Sequence, residues 1–93
     1  MKRTIIIVFK KIKNKVIAIF PFEKWNRNSL ELASYMHIGQ HGGCDWSLPY
    51  ELRNATPNEY AELLDELRGV YDNYNIKVAK RMPSREKILT EVL

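Results

Sequence analysis

The chain has 93 residues, a formal net charge of +4, 45% hydrophobic residues and 28% charged residues. That is one small domain, with enough apolar material for a modest core and too much for global disorder. One cysteine excludes an internal disulfide, and no apolar run approaches the length that crosses a bilayer, so the composition predicts a cytoplasmic chain.

The start, "MKRTIIIVFKKIKNK", imitates a signal peptide for nine residues. Its apolar run then breaks into Lys10 and Lys11, with no small-residue cleavage site behind it. The β-branched stretch from Thr4 predicts a strand instead, and "VIAIFPF" from Val16 predicts a second. Asn14 marks a tight turn between them. Both strands are apolar on both faces, which requires cover on both sides. Pro21 should end the inner ladder or sit at an edge.

"EKWNRNSLEL" is a polar connector, with a short helical turn expected at Ser29–Ala33. "SYMHIGQ" then alternates, with Met36 and Ile38 on one face and Tyr35, His37, Gly39 and His41 on the other. It predicts a third strand that ends at Gly42 and Gly43. "TPNEYAELLDELRG" is the strongest local signal. Thr56 is an N-cap, Pro57 occupies the first helical position, and Glu59 completes a capping box. Tyr60, Leu63, Leu64 and Leu67 form one apolar stripe, Glu59, Glu62, Asp65 and Glu66 take the solvent side, and Gly69 suits the C′ position. "YNIKVAKRM" is a last strand, with Ile76 and Val78 on one face. "SREKILTEVL" suits a short helix capped by Ser84, with Ile88, Leu89 and Val92 on one side.

The order β-β-β-α-β predicts an α+β fold. A mainly antiparallel sheet carries the capped helix on one face. Residues 1–82 form this single domain and 83–93 a helical tail. The tail or a second copy of the chain, as a homodimer, would cover the other face of the first hairpin.

Both histidines, the cysteine and three glycines fall within Ser34–Trp46. The glycines argue against a helix here. In an extended strand His37 and His41 share a face but stand about 13 Å apart, at ~3.3 Å per residue. One zinc ion binds nitrogens at roughly 2 Å, so the pair cannot chelate it unless the chain bends sharply between them. His41, Cys44 and Asp45 around a Gly-Gly turn would offer only three ligands. No metal and no cofactor is therefore expected. A Cys44–His41 nucleophilic pair would need a base, an orienting group and an oxyanion hole, and nothing in the spacing supplies that geometry. "GQHGG" lacks the spacing of a phosphate-binding glycine loop. The plainer reading is that these residues pin a strand and turn by hydrogen bonds.

Charge is unevenly spread. The first 22 residues hold Lys2, Arg3, Lys10, Lys11, Lys13 and Lys15 without an acid, the middle is acidic, and Lys77, Lys80 and Arg81 restore the positive charge. If the first and last strands are neighbours, Lys10, Lys11, Lys13, Lys77, Lys80 and Arg81 become candidate contacts to nucleic acid. The simpler reading is that these lysines solvate the protein and protect sheet edges.

Ile17–Pro21, Ser34–Gly42, Asp45, Ala55–Tyr60 and Ile76–Arg81 together resemble a family of small, uncharacterised bacterial proteins met on plasmids, phages and other mobile elements. "HIGQHG" is the most specific part of the resemblance, which spans most of residues 4–81 and omits the tail. It implies no activity. It singles out Tyr35, His37, Gln40, His41 and Asp45 as a functional surface, and Cys44 falls where the pattern has no cysteine. The expected function is a non-enzymatic accessory or interaction module that meets nucleic acid or a protein through the basic sheet or the His37–Asp45 strand end. The alternative is a small metal-dependent or hydrolytic enzyme centred on His37, His41 and Asp45.

Overall fold

The computed structural model describes residues 2–37 and 40–93. Four strands run in sequence as an antiparallel meander: β1 (Arg3–Ile12), β2 (Lys15–Lys24), β3 (Glu31–Met36) and β4 (Gln40–Asp45). A 3-10 turn at Leu48–Glu51 leads to helix α1 (Pro57–Val70). Strand β5 (Tyr74–Val78) then returns beside β1, parallel to it, so the sheet order is β4-β3-β2-β1-β5. The fold is α+β as expected, and the first and last strands are indeed neighbours.

The sheet is covered on both faces. On one, Ile7, Phe9, Ala18, Phe20 and Tyr35 pack with Leu63 and Leu67, while Tyr60 and Leu64 join from the same helical stripe. On the other, Ile17, Ile19, Leu32 and Cys44 pack with Ile88. Ile88 opens a short π-helical segment (Ile88–Val92) that continues helix α2 (Arg85–Lys87). The tail therefore supplies the second cover through Ile88, Val92 and Leu93, whereas Leu89 faces solvent. The 3-10 turn contributes Leu48 and Tyr50 to this layer, and the Tyr50 hydroxyl donates to the Pro83 carbonyl at 2.5 Å.

The β2–β3 register breaks after Phe20, at the buried Pro21, which has no N–H to continue a ladder. In the β1–β2 turn Lys13 takes a positive φ of 55° beside Asn14.

Three local expectations change. Glu31–Ala33 open β3 and are not helical, because their backbone joins a ladder with β2 and β4. The third strand is two strands: β3 stops at Met36, β4 begins at Gln40, and Gly42 and Gly43 lie inside β4. The expected alternation through Ile38 and Gly39 falls outside the described residues. Gly69 lies in the last turn of α1, and Tyr71 is the C-cap.

The α1 start follows the sequence closely. The Glu59 N–H donates to Thr56 Oγ1 at 3.4 Å, and the Thr56 N–H donates to Glu59 Oε1 at 2.9 Å. Arg53 holds the same carboxylate with both guanidinium arms, at 2.9 and 2.7 Å. The Arg53 hydrogen bonds, then the Thr56 N–H, hold the Glu59 carboxyl well below its usual range. Thr56→Ala should destabilise the domain by about 1 kcal/mol, since alanine leaves a helix-end N–H unsatisfied. A urea midpoint lowered with an unchanged slope is the expected result.

Candidate functional site

Ser34 ties β3 to β4 through its hydroxyl, which donates to the Gly42 carbonyl at 3.0 Å. The resulting register sets Tyr35 directly opposite His41. The chain therefore reverses between the two histidines, and the extended 13 Å separation does not apply. Both come to the α1 side of the sheet.

There they meet two residues of the helix end. Tyr35 is buried, and its hydroxyl donates to Glu66 Oε2. Glu66 Oε1 lies 2.6 Å from His37 Nδ1. The His41 ring stands edge-on to Tyr35, centroids 4.6 Å apart, and its Nε2 is 2.6 Å from the Tyr71 hydroxyl. Tyr71 packs in turn on Phe20 and Tyr74. Burial raises the Tyr71 hydroxyl above its usual range, with Tyr74 and Glu23 adding to the shift, so it stays protonated at neutral pH. The cluster is thus a polar seam that fastens the end of α1 to the β3–β4 hairpin.

The other residues singled out do not join it. Asp45 lies at the far end of β4, where Oδ1 accepts from both the N–H and the hydroxyl of Ser47, at 2.9 and 2.6 Å. These bonds hold its carboxyl below the usual range. Cys44 is buried against the tail face, on the opposite side of β4 from His41, so the two form no nucleophilic pair. Burial pushes its thiol up to about 11, with Asp45 and Glu31 adding to the shift. Among the described residues no group of three His, Cys, Asp or Glu side chains is placed to hold a metal ion. Gln40 is exposed and lines, with Lys15, Met36, His37, Glu62 and Leu63, a cleft of about 510 Å³.

The basic candidates are divided by burial. Lys10 is 8% exposed, its ammonium is 3.3 Å from the Leu52 carbonyl, and desolvation lowers its pKa. Lys11 faces Glu59 at 3.6 Å. Lys13, Lys77, Lys80 and Arg81 are exposed. Lys10 is thus a buried residue of the fold: it alternates onto the tail face next to Leu52.

Glu66 and Tyr71 are the residues that reading the sequence missed. Glu66 reads as part of the solvent face of α1, although it borders the stripe at Leu67. Tyr71 extends that stripe by four residues beyond Leu67, a spacing that marks it as facing the sheet.

Chemically, a carboxylate that orients an exposed imidazole can serve a general base, but among the described residues the cleft lining includes no serine, threonine or cysteine. Comparison of the chain with protein-family models, curated proteins and solved structures finds no match.

Tyr35→Phe keeps the ring and removes the donor to a carboxylate. It should cost about 1.5–3 kcal/mol, and much less in a Glu66→Gln background, as a double-mutant cycle in urea would measure. The Cys44 thiol should react slowly with a disulfide reagent in the native protein and quickly in denaturant. Its folded pKa is raised, so its stabilising contribution is complete below about 9 and is lost as pH rises towards about 11. Thermal unfolding between pH 8 and 11 should show that decline, and Cys44→Ala should flatten it.

Proposed function

We propose that the protein is a non-enzymatic interaction module that takes up an extended segment of a protein partner along the open edge of β4. The carrying observation is the state of that edge. The Trp46 N–H donates to the Leu30 carbonyl at 3.0 Å, which makes Leu30 and Trp46 a hydrogen-bonded pair. Bonded pairs alternate in an antiparallel ladder, so Gln40, Gly42 and Cys44 turn their backbone groups towards β3. His41, Gly43 and Asp45 turn theirs outward.

Edge strands of stable proteins are commonly blunted by lysine, proline or a bulge. Strand β4 is "QHGGCD" and pairs with β3 without interruption over six residues, so it has none of these. The opposite edge, β5, carries the exposed Lys77 within the strand. The difference favours β4 as the docking edge, with backbone hydrogen bonds giving affinity and flanking side chains giving selectivity. The burial of Lys10 and the pairing of Lys11 with Glu59 weigh against nucleic acid.

A second reading, a hydrolase using His37 as base, draws on the His37–Glu66 contact beside the cleft. A metal-dependent version through Asp45 is not carried forward, because Asp45 is engaged by Ser47 at the other end of β4.

Selection of displayed random peptides against the protein tests the docking reading. Enriched peptides should be extended, should shift the amide resonances of His41, Gly43 and Asp45, and should lose binding to Gly42→Lys. Nothing lies within 4 Å of a β-carbon built on Gly42, so this variant should fold with a lysine on the edge. A labelled DNA duplex that binds tightly at low salt, and is lost with Lys13→Glu and Lys80→Glu, would overturn the reading in favour of nucleic acid.

A further inference from the structure

We propose that the segment taken up by β4 is β4 of a second copy of this chain, paired antiparallel about a two-fold axis at Gly43. The inference rests on the edge-docking reading above and names its partner. A two-fold axis perpendicular to the sheet keeps the α1 faces of both copies on one side, so outward-turned residues must meet outward-turned residues. With Gly43 opposite Gly43 of the second copy, His41 falls opposite the second copy's Asp45, and the reverse pair forms by symmetry. Each outward N–H and C=O of His41, Gly43 and Asp45 then finds a backbone partner.

Two features of the edge select this register. The first is charge. Asp45 stands directly opposite Glu31 on β3, so two acids occupy paired positions on the same face. Among the described residues neither takes part in an ion pair. The proposed register sets an imidazole of the second copy opposite Asp45. Parallel pairing in register would set histidine against histidine and aspartate against aspartate, and an antiparallel axis at Gly42 would set His41 against Gly43.

The second feature is Trp25. A β-carbon on Gly43 would lie 2.6 Å from Trp25 Cδ1, so the indole covers Gly43 on the α1 face, beside the proposed axis. It is 42% exposed there. Pairing two copies brings two indoles together across the axis and withdraws apolar surface that is open in one copy alone. Gly43 is the residue that leaves room for this, since any larger side chain would displace the indole or Glu31.

Sedimentation of the full chain across a concentration series tests the proposal. A reversible dimer is expected, with Trp25 emission changing over the same range. Asp45→Asn keeps an oxygen for Ser47 and removes the carboxylate opposite the imidazole in both symmetric pairs, so it should weaken the dimer roughly fivefold. Trp25→Ala should weaken it by at least as much, and Gly42→Lys should abolish it. The register is read by disulfide formation in a Cys44→Ser background. His41→Cys and Asp45→Cys proteins should cross-link when mixed, because a bonded pair sets Cα atoms about 5.5 Å apart. Neither should cross-link alone. Cross-linking of either alone, or a dimer indifferent to Asp45→Asn and Trp25→Ala, overturns the arrangement. A chain that stays monomeric to about 1 mM, a range that would still reveal millimolar association, overturns the second copy as partner. Peptides selected on the same edge would then still uphold the docking reading, and their absence would remove both.

Discussion

The interior strand β1, between β2 and β5, is the constraint from which the architecture follows. Ile7 and Val8 point to opposite faces and are both fully shielded from water. A strand apolar on both sides needs a neighbour along each edge and a cover over each face. β2 supplies one edge through a short turn. The other edge is filled by β5 in parallel, and a parallel neighbour demands a crossover connection. Helix α1 lies on that crossover, which places its apolar stripe over Ile7 and Phe9. The remaining face is left for the chain end, and Ile88 fills it.

The same arrangement explains why the polar seam forms where it does. Helix α1 enters at the Thr56 cap, beside Lys11 and Arg53, and leaves towards β5 past Tyr71. Its late residues therefore cross near the β3–β4 hairpin. From there Glu66 reaches Tyr35 and His37, and Tyr71 reaches His41. A buried phenol and a half-buried carboxylate satisfy each other there, which is the condition for keeping polar groups at such depth.

The far end of the sheet answers a different demand. Among the described residues β4 has no strand beyond it, and the backbone groups of His41, Gly43 and Asp45 turn away from β3. Its two glycines have different surroundings. Gly42 borders open space, whereas Gly43 lies under Trp25 and Glu31. The strand is bare of side-chain bulk at its centre and carries unlike polar groups at its ends, a pattern that matches itself when reversed.

Local chemistry alone fixed the strands around Ile5–Phe9 and Val16–Phe20, the Thr56–Glu59 cap, the stripe from Tyr60 to Leu67 and the α+β class. Each of these depends on residues within a few positions of one another. The hairpin between Met36 and Gln40 was not legible, because alternation continues in phase across "SYMHIGQHG" and gives no sign of a reversal. Nor was the role of Glu66, whose position among acids on one helix face resembles a solvent position until the partner strand is known. Lys10 reads as one of a basic run, yet β1 lies inside the sheet, between β2 and β5, and its cover buries Lys10. Tertiary structure decided these points, because each depends on which distant segment lies opposite. Burial, pairing and pKa are properties of that neighbour as much as of the residue itself.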